Sequence, residues 1–191
     1  TGLIGGSIAG GLRAAGWDVT GHDADPDASS TAMSLELIDR HVDDVAPVVA
    51  DGVDLIVVAA PPKATIEVLS QLSTDTVVMD VAGGKSAVSH AAAHLPRFVA
   101  THPMAGRETS GPTAANAALF AGATWVVIEG ADPSARIAVV SVIESLGATP
   151  VEMDAEAHDR SVALISHLPQ LVAGGLLAAA KASPEALDLA A

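Results

Sequence analysis

The chain has 191 residues, half of them hydrophobic, which suffices for one medium domain or one domain with part of a second. Nine Lys and Arg against 23 Asp and Glu leave a net charge of −14, which argues against nucleic acid and anionic membranes as partners. Cysteine is absent, so disulfides and thiolate chemistry are excluded, and the unbroken apolar runs fall short of the roughly 18 residues of a membrane span.

Thr1-Gly2-Leu3-Ile4-Gly5-Gly6-Ser7 matches the second half of a G-x-G-x-x-G turn. The first glycine and the strand before it are expected upstream of Thr1. Gly2 lacks a Cβ, so backbone there can approach a pyrophosphate, and Gly5 lets the following helix pack on a strand. Gly2, Leu3, Ile4 and Gly5 present the free N–H groups of a helix N-terminus to the anion. Leu3, Ile4, Ile8 and Leu12 recur at helical spacing, and Gly16 is placed to end the helix.

Trp17 to His22 reads as a strand ending at Asp23. An acidic residue about twenty positions after the glycines is where a ribose hydroxyl is bound; the bland alternative is a loop carboxylate within Asp23-Ala24-Asp25-Pro26-Asp27. Val53 to Ala59 is a buried parallel strand by its β-branched run, stopped by Ala60-Pro61-Pro62. Ala60 and Pro61, at its carboxyl end, join the expected cofactor-binding set. Helix Lys63–Leu72, strand Thr76–Asp80, helix Lys85–Leu95 and strand Phe98–Thr101 follow. Strand Thr124–Ile128, helix Pro133–Leu146 and strand Thr149–Met153 close the series. This alternation predicts an α/β fold, a Rossmann-type doubly wound parallel sheet over residues 1–153.

From residue 154 the pattern becomes helical. Asp154 is a cap, and Ala157 to Lys181 shows helical periodicity interrupted by Pro169, which removes one N–H and frees a carbonyl. Residues 154–191 are read as the start of an all-helical substrate and dimerisation domain, continuing past Ala191.

Two clusters could do chemistry. Thr101-His102-Pro103-Met104-Ala105-Gly106-Arg107-Glu108-Thr109-Ser110-Gly111 follows a strand at its carboxyl end, the ligand edge of open α/β sheets. Ser166-His167-Leu168-Pro169-Gln170 lies on the interrupted helix. With the glycine turn, Asp80 with Lys85, and Glu156-Ala157-His158-Asp159, these segments resemble the prephenate and arogenate dehydrogenase family in order and spacing.

The resemblance implies an NAD-dependent oxidative decarboxylation of prephenate to 4-hydroxyphenylpyruvate in tyrosine biosynthesis. It implies His102 as the catalytic acceptor for the ring hydroxyl, and Ser166, Gln170, Glu108 and Gly83 at the substrate. A neutral imidazole, with an ordinary pKa of about 6.5, is a competent acceptor near neutral pH. Two departures stand out. Gly83 replaces a family serine, and Gln170 replaces a histidine. The substrate would be a small anion, for which Lys85, Arg107 and Arg160 are the cations on offer. No metal is expected, and a homodimer through the helical domain is. The cytoplasm is the expected location. The alternatives are an arogenate dehydrogenase, a β-hydroxyacid dehydrogenase or imine reductase of similar plan, and a nucleotide-binding regulatory module without turnover.

Overall fold

A computed structural model describes residues 1–182; the last nine residues of the expected helical domain lie outside the described residues. Helix α1 (Leu3–Ala14) begins directly after Gly2 and ends before Gly16, whose φ of 91° is the left-handed conformation that glycine tolerates. Strand β1 (Thr20–Gly21) follows and pairs in parallel with β2 (Arg40–His41). Between them lies α2 (Pro26–Ser34), and beyond them α3 (Ala46–Asp51). Both helices escape a periodicity reading. The signal for α2 is local: Asp25 accepts a hydrogen bond from the Asp27 N–H, and Pro26 occupies the first turn.

The central sheet is β3 (Leu55–Val58), β4 (Val77–Asp80) and β5 (Phe98–Val99), all parallel. Helix α4 (Pro62–Gln71) connects the first pair, and α5 (Ser86–Ala91) the second. Helix α5 stops four residues short of the sequence expectation. His94 bonds back to the Leu72 carbonyl at 2.8 Å, and Pro96 disfavours helical backbone at Leu95.

The expected strand Phe98–Thr101 breaks at Ala100 and resumes as β6 (Thr101–Pro103), so His102 and Pro103 lie on a strand rather than on the loop after it. Strand β6 pairs antiparallel with β7 (Thr124–Ile128), which pairs in parallel with β8 (Thr149–Met153). This second three-stranded sheet, in the order β6-β7-β8, is therefore mixed, whereas the central one is wholly parallel. The Ile128 N–H donates to the Ala100 carbonyl at 2.9 Å, where the two halves of the strand meet. Helix α6 (Pro133–Ser145), capped by Asp132, packs Ala135, Val139, Val142 and Ile143 into the same core as Ile8, Met79, Val127 and Trp125.

After β8, Asp154 caps α7 (Ala155–Val162) through the Ala157 N–H. A π-helical stretch (Ala163–His167) leads without interruption into α8 (Leu168–Lys181). The wider π turn gives room to the ring of Pro169, which would otherwise meet the carbonyl four residues back. The continuous helix Ala155–Lys181 is 27 residues long, with a best 18-residue mean hydropathy of 1.6, long and apolar enough to cross a membrane. The expectation of no such segment rested on unbroken apolar runs; averaging over Ser166, His167 and Gln170 reverses it. Leu164, Ile165, Leu168, Leu171, Val172, Leu176 and Leu177 are all exposed.

Candidate active site

The glycine turn has the geometry its spacing predicts. A Cβ on Gly5 would stand 3.1 Å from the Cβ of Ala59, so the missing side chain is what lets α1 close on the end of β3. A Cβ on Gly2 would meet nothing within 4 Å, so space stays open above the turn. No side chain caps α1 and no acidic residue sits in its first turn, which leaves the N–H groups of Leu3, Ile4 and Gly5 free for an anion. Asp23 lies beside this turn. Its Oδ2 accepts from the Thr1 nitrogen at 2.8 Å and from Thr1 Oγ1 at 3.0 Å. Its Oδ1 accepts from the Asp25 N–H at 3.0 Å.

The same edge of the sheet carries Ala60 and Pro61 after β3, and the Val81–Gly84 turn after β4. Pro61 precedes α4, and the Ala60 carbonyl accepts from Thr65 Oγ1 at 2.9 Å. The opposite edge holds a cavity of about 670 Å³ lined by Trp17, Leu55, Thr76, Arg97 and Val142, which touches none of these residues.

Below the Val81–Gly84 turn is a fully buried ion pair. Lys85 Nζ donates to Asp80 Oδ2 at 2.5 Å and to the Thr101 carbonyl at 2.6 Å. Asp80 also accepts from the Ala82 and Thr101 N–H groups. Burial pushes the Asp80 carboxyl up and the Lys85 ammonium down, and the pair's mutual attraction and hydrogen bonds oppose both. Lys85 is thus a structural clamp between β4 and β6, and the expectation that it serves the substrate as a cation is corrected. Thr101 Oγ1 donates to the Asp80 carbonyl and accepts from Trp125 Nε1 at 2.9 Å.

With Thr101 and Pro103 buried, strand alternation turns His102 to the other face. There its Nδ1 is 2.9 Å from His158 Nε2, and its Nε2 lies 3.5 Å from where a Cβ of Gly83 would be. A serine in place of Gly83 would bring its hydroxyl close to this nitrogen, so the glycine removes a neighbour from His102. His158 Nδ1 is in turn 2.9 Å from Asp159 Oδ1. Asp159 accepts from the N–H groups of Lys85 at 2.7 Å and Ser86 at 2.9 Å. Burial opposes its ionisation, but these hydrogen bonds outweigh it and hold the carboxyl well below its usual range. Burial first, then the fields of His158 and Lys85, push His102 down to about 4. His102 is therefore neutral near pH 7 and able to accept a proton.

The structure brings His102 and Gly83 together and sets Gly2, Leu3, Ile4, Gly5 and Asp23 around one turn. Among the described residues, no side-chain hydrogen bond joins Glu108, Ser166 or Gln170 to them. Glu108 is exposed and makes no side-chain hydrogen bond or ion pair among the described residues. Ser166 lies in the π-helical stretch and Gln170 in α8, both exposed. Of the other expected cations, Arg160 pairs with Glu156 and Arg107 is exposed. Sequence reasoning gave no role to His158 or Asp159; the matching segment Glu156-Ala157-His158-Asp159 was the signal that could have found them.

The family model for the prephenate dehydrogenase nucleotide-binding domain matches residues 8–152. A probable prephenate dehydrogenase, NovF, of Streptomyces niveus is 36% identical over 180 residues, covering 90% of this chain and 48% of that one. The chain spans about half the length of the first curated relatives it matches. The prephenate dehydrogenase of A. aeolicus, solved in complex with hydroxyphenyl propionate and NAD+, superposes with a TM-score of 0.86 at 28% identity, covering 95% of this chain and 67% of that one. Synechocystis arogenate dehydrogenase superposes with a TM-score of 0.80 at 31% identity, covering 93% and 66%.

Proposed function

We propose that this chain, which belongs to the prephenate dehydrogenase family, is the nucleotide-binding part of an enzyme that converts prephenate to 4-hydroxyphenylpyruvate in tyrosine biosynthesis, with NAD+ as cofactor. The observation that carries this reading is His102, an imidazole kept neutral by burial, whose Nε2 faces the turn after β4 at the carboxyl edge of the sheet. Gly2, Gly5 and the α1 N-terminus would hold the pyrophosphate, Asp23 the adenosine ribose, and Ala60 and Pro61 the edge of the cofactor cleft. When bound, NAD+ supplies the hydride acceptor. His102 Nε2 takes the proton of the ring hydroxyl as the carbon bearing it gives up its hydride. The ring carboxylate then leaves as carbon dioxide, its bonding electrons complete the aromatic ring, and the proton returns to the phenolic oxygen.

The helix from Ala155 would begin a helical domain that supplies Ser166 and Gln170 to the substrate and joins two copies into a homodimer. On this reading it covers a partner surface rather than spanning a membrane, and the enzyme is cytoplasmic. Glu108 would close over the pocket from its loop. Arogenate is the second reading, favoured by Gln170: a neutral amide there does not choose between a keto acid and an amino acid side chain.

NAD+ affinity is measured first by calorimetry, then NADH absorbance is followed with prephenate and with arogenate. Weak turnover, prephenate above arogenate, is the expected result, because the chain spans about half the length of the curated relatives. NAD+ binding with neither substrate turned over would overturn the catalytic reading in favour of a regulatory module.

A further inference from the structure

We infer that His158 and Asp159 are positioning residues that fix His102 in the tautomer with a free Nε2, an inference that rests on the catalytic reading of His102 for its purpose but on geometry for its existence. Asp159 is surrounded by donors: the Lys85 N–H at 2.7 Å, the Ser86 N–H at 2.9 Å and His158 Nδ1 at 2.9 Å. An ionised carboxylate only accepts, so the proton of His158 sits on Nδ1. With one proton on each ring, His158 Nε2 is then an acceptor. Its partner at 2.9 Å, His102 Nδ1, must donate. The lone pair of His102 is left on Nε2, the nitrogen nearest Gly83. One charged group, 57 positions along the chain from His102, thereby sets which nitrogen of the base is basic.

The placement suits that task. His158 is 1% exposed, so water cannot compete for its ring. The chain of bonds runs from the start of α5 through α7 to β6, so the base is oriented by two helices and a strand. The charged and titratable groups acting on His102 are His158, Lys85, Asp159 and His167, and Lys85 is itself neutralised by Asp80. Asp159 is the one that favours a proton on His102, and it acts through the His158 ring.

The test uses the 191-residue chain labelled with 15N-histidine, the His102 resonances being assigned by their loss in His102→Gln. Long-range 1H–15N spectra read the tautomer directly. The expected wild-type pattern is a pyrrole-like Nδ1 and a pyridine-like Nε2. His158→Gln, whose amide oxygen still accepts, should keep it, whereas His158→Leu should give a tautomer mixture. In NADH formation, His158→Leu should lower kcat by about 10²-fold with NAD+ affinity unchanged, and His158→Gln should recover most of that loss. If His158→Leu does not fold, Asp159→Ala, at a partly exposed position, removes the same constraint. A wild-type His102 protonated on Nε2, or an unchanged tautomer in His158→Leu or Asp159→Ala, overturns the inference. Absent turnover with the expected spectra sinks the proposed reaction and leaves the tautomer relay standing.

Discussion

A histidine works as a base near neutral pH only while its ring stays unprotonated, and at His102 burial secures this at a cost to stability in acid. The pKa of His102 lies at about 4, against an ordinary value near 6.5. Between these values the unfolded chain binds a proton that the folded chain refuses, so this group makes stability fall as pH drops from about 6.5 to about 4. In His102→Ala that slope in urea-unfolding free energy should flatten. The same variant should lose roughly 10²–10⁴ in kcat while NAD+ affinity holds, because the Gly2 turn and Asp23 are untouched. An equal loss of cofactor binding would make the histidine structural. Asp23 sets a second prediction. It would accept ribose hydroxyls and repel a 2′-phosphate, so NAD+ should be preferred over NADP+ by on the order of 2–4 kcal/mol, and Asp23→Ser should narrow the gap. Similar kcat/KM for the two cofactors in the unaltered chain would sink this role. The spacing of single residues made legible the close packing at Gly5 and the place of Asp23 beside the turn. It could not reveal the 2.9 Å contact between His102 and His158, which depends on how α7 docks.

At the scale of elements, β-branched runs bounded by proline or glycine marked β3, β4 and β7, because buried strands are apolar on both faces. Helix α2 was hidden by its polar composition, and β6 by its three-residue length. The antiparallel turn of β6 has no local signature; it follows from long-range anchors, with Trp125 opposite Pro103 and Lys85 holding both Asp80 and the Thr101 carbonyl. The value of that clamp is predictable in sign. Lys85→Met leaves Asp80 buried and unpaired and should destabilise the chain by about 3–5 kcal/mol in urea titrations. Asp80→Leu combined with Lys85→Met removes both charges and should recover much of the loss. A double variant no better than the single one would show that the pair's remaining hydrogen bonds, not its charge balance, hold β4 to β6.

For the whole molecule, charge and apolar surface pull in opposite directions. A net charge of −14 keeps copies apart at long range, and its reach shrinks as salt screens it, from about 30 Å at 0.01 M to about 10 Å at 0.1 M. Against this, seven large aliphatic side chains from Leu164 to Leu177 are at least half exposed on one helix, more than scattered surface residues need to explain. The proposed homodimer would cover them. Self-association measured by light scattering should therefore strengthen with added salt, as repulsion is screened and the apolar contact is kept. Leu171→Glu with Leu176→Glu should shift the chain toward monomer without lowering NAD+ affinity, because neither residue lies near the Gly2 turn in sequence or on the sheet edge that carries it. A monodisperse monomer across the whole salt range would show that this face needs no partner, and the dimer reading would fall while the reading of His102 and its cofactor edge would not.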